Sequence, residues 1–254
     1  MTLTHKPDFR VSLARDQDDL LAAQALRYDI FVEELGGGGP LVDHEARLER
    51  DRFDPFFDHL ILFDDAAGGR VVGVYRMLKG DRAEAAGAFY SEAEYDLGPL
   101  RASGRNLLEL GRSCVHVDYR GGPALYHLWG GLAAYVADHG IDIMFGVASF
   151  HGTDVAALAQ PLSLLHHRHL APEALRVCAR PPHAVRMDLM AATEIDRRAA
   201  MVRMPALIKA YLRLGGVVGN GAYIDHGFNT TDVCLVMDTS AMSERQKRIY
   251  GAAT

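Results

Sequence analysis

The stretch LLELGRSCVHVDYRGGPAL, residues 107–125, places two charged side chains, Glu109 and Arg112, in what its apolar residues mark as a buried strand. A carboxylate at such a position has two uses. It can accept a proton from a reacting group, or it can pair with a buried cation, here Arg27 or Arg76. Just beyond the strand, Val117-Asp118-Tyr119-Arg120-Gly121-Gly122-Pro123-Ala124 forms a glycine turn that opens a helix. The first N–H groups of a helix have no intrahelical acceptor, and its dipole favours negative charge there, so this turn is a candidate anion site. If the strand is regular, Glu109 and Gly111 point to one face and Arg112 to the other; a bulge at Gly111 would bring Glu109 and Arg112 to the same cleft.

The elements that must position these residues alternate along the chain. RVSLAR (10–15) reads as a strand, and Asp16 caps a helix carrying Leu20, Ala23, Leu26 and Ile30 on one face, closed by the glycine run 36–39. HLILFD (59–64) and RVVGVYRML (70–78) form a hairpin joined by the turn AAGG. Residues 81–104 read as helix and loop, 107–117 as a strand, and a helix beginning near Pro123 runs to Gly140. IDIMFGVASF (141–150) is a strand, followed by a helix at 153–169, strands near 175–179 and 184–190, and DVCLVMD (232–238). The predicted class is α/β, a mixed central sheet flanked by helices, with residues 1–193 as a core and 194–254 as a carboxyl-terminal extension packed on it.

Composition narrows the functional classes. With 254 residues, 49% of them hydrophobic, the chain can bury a full core, and its net charge of −6 argues against nucleic-acid binding. No apolar run approaches the ~20 residues a membrane helix needs, and MTLTHKPDFR lacks the apolar core of a signal peptide. The expectation is a cytoplasmic protein, with peripheral contact at the cytoplasmic face of the inner membrane as the variant. Cys114, Cys178 and Cys234 have no spacing that suggests a disulfide framework or a zinc site.

The donor-like turn resembles the acyl-donor loop of the GNAT acyltransferase superfamily, an Arg or Gln, two residues, Gly, one residue, then Gly or Ala. Pro123 stands where the middle glycine belongs and removes one N–H donor, which favours a donor with a single phosphate over the pyrophosphate of coenzyme A. Arg27 and Phe31 in RYDIFVEELG, Asp51 and Asp54 in DRFD, Arg76 in GVYRML, and Glu109 with Arg112 in ELGR occur in the order and spacing of acyl-homoserine lactone synthases. That resemblance covers about the first 150 residues. PALIKAYLRLGGVVGNGAYIDHGFNTTDV, residues 205–233, together with FDPFFDHLILFD and LELGRSCVHVDYRGG, resembles the L-ornithine Nα-acyltransferases, and this match spans nearly the whole chain.

That resemblance implies transfer of a 3-hydroxyacyl group from acyl carrier protein to ornithine, giving lyso-ornithine lipid, with the phosphopantetheine thioester as substrate and no resident cofactor. An α-ammonium must lose a proton to attack a thioester, and Glu109 is the candidate base, with Arg112 beside it. Donor contacts fall on Val115, Val117, Arg120, Gly121, Gly122 and Ala124, with the N–H groups of 115–117 facing the oxyanion. Acceptor contacts fall on Arg27, Phe31, Asp51, Asp54 and Arg76: Arg76 or Arg112 suits the α-carboxylate, and Asp51 or Asp54 the side-chain ammonium, while Asp54 before Pro55 also reads as a loop cap. The alternatives are an acyl-homoserine lactone synthase-like enzyme and a non-catalytic module that docks carrier protein or membrane.

Three further features have bland readings beside functional ones. HHRH (166–169) has a spacing that can hold a metal but equally suits a helix carboxyl terminus, and no metal is expected. His226 and Asp232 lie in the family-like segment, and Trp129 reads as core. DRRAAMVRMPALIKAYLRLGG (196–216), broken by Pro205, sets an apolar stripe between Arg197, Arg203, Lys209 and Arg213; it packs on the sheet, docks acidic carrier protein, or rests on anionic lipid.

Overall fold

The computed structural model describes residues 5–242. In chain order the elements are β1 (Phe9–Leu13), α1 (Gln17–Arg27), β2 (Asp58–Asp64), β3 (Arg70–Lys79), α2 (Gly80–Ala86), β4 (Tyr95–Asp96), α3 (Gly98–Ala102), β5 (Leu107–Val115) and α4 (Ala124–Asp138). They continue with β6 (Ile143–His151), α5 (Ala159–His169), β7 (Cys178–Ala179), β8 (Ala184–Val185), α6 (Arg197–Arg203), α7 (Ala206–Arg213), β9 (Val217–Val218), β10 (Ala222–Asp225) and β11 (Thr230–Asp238). The class is α/β with a mixed sheet, as the sequence implies. The chain divides into two compact units: one holds the residues up to Gly87 and Leu110–Gly140, the other Ala88–Glu109 and the described residues from Ile141 onward. Residues 194–242 lie inside the second unit, and the rest of the expected extension, 243–254, lies outside the described residues.

In the first unit β1, β2 and β3 form an antiparallel meander, followed in the sheet by β5. Alternation along β2 sorts its side chains between two helices. Ile61 and Phe63 join Ala23, Leu26, Ile30, Val74 and Cys114 under α1, whereas Leu60 and Leu62 face α4. Gly131 of α4 lies so close to the sheet that an added Cβ would stand 2.6 Å from Val11 and 3.3 Å from Leu60, so the helix cannot carry a side chain there without moving. Asp16 caps α1 as its sequence position implies, accepting the N–H of Asp19 at 2.9 Å. Beyond Arg27 the helix widens into a π-turn, Tyr28–Glu34, before the glycine run.

In the second unit β6 and β11 pair antiparallel along nine residues, from Ile143 opposite Asp238 to His151 opposite Thr230. β10 adds to β11 and β8 to β10, and β5 runs parallel to β6 over Leu107–Glu109. Residues 184–190, read as one strand, pair only at Ala184–Val185, while β10 was concealed by its glycine-rich flanks. Phe89 meets Phe145 edge to face, with ring centroids 5.0 Å apart in this core.

Candidate active site

The buried arginines of the first unit are organised by three acids. Arg27, fully buried at the end of α1, donates through Nε to Glu49 Oε2 at 2.5 Å and through Nη1 to Asp54 Oδ1 at 2.7 Å. Arg76 of β3, equally buried, reaches Asp54 Oδ1 at 2.7 Å and Asp51 Oδ2 at 2.8 Å, and its guanidinium lies 4.3 Å above the Phe57 ring. Gln24 fills the other oxygen of Asp54 at 3.0 Å. Asp54 is therefore a junction between two cations rather than a loop cap. Burial opposes its ionised form, but Arg27 and Arg76 outweigh burial and hold its carboxyl well below the ordinary range.

Arg112 completes the set. It donates through Nε to Glu49 Oε1 at 3.1 Å, stands 3.5 Å from Asp51, and lies over the Phe31 ring at 5.8 Å. Its φ of 50° is left-handed, so β5 is irregular at Arg112 itself, one residue after the glycine at which a bulge was expected. Three guanidiniums face three carboxylates, and their formal charges cancel. The side chains of Arg112 and Asp51 are 12% and 18% exposed, against 0% and 1% for Arg27 and Arg76, so the network meets solvent through Arg112 and Asp51.

The donor-like loop leaves β5 on the same unit. The His116 N–H is held by Val72 O at 2.9 Å, and the Tyr119 hydroxyl donates to Asp64 Oδ2 at 2.9 Å, pinning the turn to the hairpin. Asp64 also accepts from Asp8 N and Ala66 N, and its hydrogen bond, after burial, raises the Tyr119 phenol to about 12. Gly121 adopts φ 76°, open to glycine without strain, and Gly121 and Gly122 are exposed while Ala124 is buried. Tyr126 and His127 turn their N–H groups back to Pro123 O, which closes the first turn of α4 and leaves the N–H groups of Ala124 and Leu125 without an intrahelical acceptor. Arg120 spans the loop: Nε donates to Val115 O at 2.9 Å, and both Nη groups meet the Glu34 carboxylate. Val117 projects into solvent, 58% exposed.

Glu109 belongs to the second unit and is 1% exposed. Its carboxylate accepts the backbone N–H groups of Tyr90 and Ser91, each at 2.7 Å, and the Ser91 hydroxyl. These donors fix both oxygens in orientation. Elsewhere in this unit the carboxylates of Glu94, Asp225 and Asp232 approach within 4.8 Å of one another, and the Tyr95 hydroxyl donates to Asp232 O at 2.8 Å. The HHRH histidines do not join such a group among the described residues: His167 donates to Met190 O, and His166 meets the His167 ring at 5.1 Å. Trp129 is buried in the first unit, as read from the sequence. Burial raises the Cys114 thiol to about 12, which removes it as a nucleophile at neutral pH.

Sequence reasoning missed Glu49, Gln24, Asp64 and Ser91. Glu49 sits in LVDHEARLERDRFD, where alternating charges look like a solvated loop, and nothing local distinguishes the acid that becomes 1% exposed from its neighbours. Ser91 carried no motif signal at all.

Comparison with known proteins adds the decisive observation. Residues 26–130, which contain Arg27, the three acids, Glu109, Arg112 and the donor-like loop, match the family described as an acetyltransferase (GNAT) domain. An L-ornithine N(alpha)-acyltransferase of Rhodobacter capsulatus is 62% identical over 246 residues, 95% of this chain and 94% of that protein. The chain belongs to the L-ornithine N(alpha)-acyltransferase family. A Brucella abortus member is 43% identical over 95% of this chain and 88% of its own length. The fold is shared more widely than the family. A solved N-acyl amino acid synthase from uncultured soil microbes superposes with a TM-score of 0.54 at 11% identity, covering 93% of each chain. A CoA-dependent acyl-homoserine lactone synthase solved with SAM and isopentyl-CoA gives 0.51 at 16%, covering 93% of this chain and 82% of that one.

Proposed function

We propose that this protein transfers a 3-hydroxyacyl group from the phosphopantetheine arm of acyl carrier protein to the α-amine of L-ornithine, forming the amide of lyso-ornithine lipid. The observation that carries this reading is 62% identity along 95% of the chain with an enzyme named for ornithine Nα-acylation. The acceptor nitrogen attacks the thioester carbonyl, the C–S bond breaks, and the donor leaves as a thiol after protonation. Glu109 takes one proton from the α-ammonium so that the free amine can attack, the proton then lost by the nitrogen of the adduct goes to the departing thiolate, and the Ser91 and Tyr90 donors keep the Glu109 carboxylate oriented. The carrier-borne thioester is a substrate, not a resident cofactor. Its single phosphate suits the N–H groups around Gly121 and Gly122, since Pro123 supplies none. Arg112 and Asp51, the least buried members of a balanced network, are the groups through which that network meets the acceptor.

The test is incubation of the purified chain with 3-hydroxyacyl carrier protein and a panel of amino acids, read by mass spectrometry. The acyl-ornithine mass is expected with ornithine alone, and kcat/KM for the carrier-protein donor is expected to exceed that for the matching acyl-coenzyme A. Absence of ornithine-dependent thioester loss overturns the reading.

A further inference from the structure

Charge is unevenly distributed along this acidic chain. Residues 159–213 carry nine arginines and lysines against four acids, although the whole chain has a net charge of −6. This segment lies in the second unit, where α6 packs on α5. Three of its four acids have local roles: Asp188 pairs with Arg186 at 2.7 Å, Glu194 accepts Ala191 N, and Asp196 caps α6 by accepting the N–H groups of Arg198 and Ala199. Among the described residues, no carboxylate lies within 4.0 Å of Arg168, Arg197, Arg198 or Arg203; Arg203 donates to Ala157 O instead.

The short helix α6 buries Ala200 and turns Arg197, Arg198, Ala199, Val202 and Arg203 to solvent. Val202 is 75% exposed, more than any other exposed large hydrophobic side chain among the described residues. Leu189, 40% exposed, adjoins Met190, whose carbonyl accepts from His167 at the end of α5. Burial and then the charge of Arg197 hold the His169 pKa below its ordinary value, which places the carboxyl-terminal turn of α5 within electrostatic reach of α6.

We propose that the exposed face of α6, with the end of α5, binds the surface of an anionic phospholipid bilayer. Cations flanking an exposed apolar residue match such a surface, where phosphates lie at the level of the arginines and the apolar side chain enters the acyl boundary. A protein partner is the poorer fit. Protein interfaces centre on aromatic anchors as well as arginine, and the exposed face of α6 offers arginine, alanine and valine but no aromatic side chain. The net negative charge of the remaining chain disfavours any other approach to an anionic surface, so the patch also sets orientation. This inference rests on charge and exposure and is independent of the ornithine reading.

The experiment is co-sedimentation of the full chain with vesicles of phosphatidylcholine alone or containing phosphatidylglycerol. Binding is expected only with phosphatidylglycerol, and about 0.5 M salt should release it, because exposed charges are screened over a few ångströms at that concentration. Arg197→Glu with Arg198→Glu is expected to weaken partitioning by about tenfold or more, Val202→Asp to weaken it similarly, and Arg198→Gln to give an intermediate loss, all with unchanged thermal melting. Failure of the unmodified chain to bind, equal binding to neutral vesicles, or unimpaired binding by the folded charge-reversed variant overturns the proposal. Unchanged sedimentation with a raised KM for a carrier-protein donor would assign the face to that partner and likewise overturn it.

Discussion

Arg120 and Glu34 face each other through two parallel hydrogen bonds of 2.5 and 2.7 Å at the mouth of the donor-like loop. Both side chains are 39% exposed, so the pair is weak enough to be exchanged for a donor phosphate. Arg120→Ala is expected to raise the donor KM about tenfold while ornithine KM moves less than about twofold. Glu34→Gln, which removes the competing charge, should leave donor KM unchanged or lower it. Steady-state kinetics with each substrate varied decides; a donor KM raised by Glu34→Gln would mean that Glu34 positions Arg120 rather than competes for it.

Glu109 should separate chemistry from folding. Glu109→Gln is expected to lower kcat by about 100-fold or more with little change in ornithine KM, as for a general base. Ser91→Ala removes one donor to the same carboxylate and should lower kcat less than Glu109→Gln does, with ornithine KM little changed. Full activity in a folded Glu109→Gln enzyme would assign the acid a purely structural role.

Glu49 is the acid on which the arginine network depends. Removing it leaves Arg27 and Arg112 short of a partner in a buried setting, and Glu49→Ala should destabilise by about 3–5 kcal/mol, measured by denaturant melting. The pH dependence has a definite sign. Burial opposes ionisation of Glu49 and Asp54, yet the arginines prevail and both folded pKa values lie below the reference values of 4.5 and 3.8. Their stabilisation is complete above the unfolded values and is lost as pH falls through the folded ones. The melting temperature should therefore drop steeply below about pH 4, and Glu49→Gln should flatten that drop.

The cysteines offer a check on packing. Cys178 is exposed, whereas Cys114 and Cys234 are buried with their thiol pKa values raised by burial. Alkylation of the native chain at pH 8 is expected to label Cys178 alone, and denaturation to release the other two. Mass spectrometry gives the stoichiometry, and rapid native labelling of Cys114 would contradict the packing of β5 under α1.

Much of this protein was legible in the sequence because its signals are local. Asp16 capping α1, the hairpin of β2 and β3, and the glycine turn into α4 each follow from residue types within a few positions. The residues resembling those of acyltransferases, from Arg27 to Arg120, were likewise identifiable by order and spacing. What they do to one another was not. Sequence allowed Asp54 to cap a loop or bind a substrate ammonium, and the fold gives it to Arg27 and Arg76; nothing in the sequence marked Ser91 and Tyr90 as donors to Glu109. Whether a charged residue is solvated, paired or buried depends on which distant side chains share its dielectric environment. That is why Glu49, unmarked in a run of charges, became a centre of the network only when the chain closed around it.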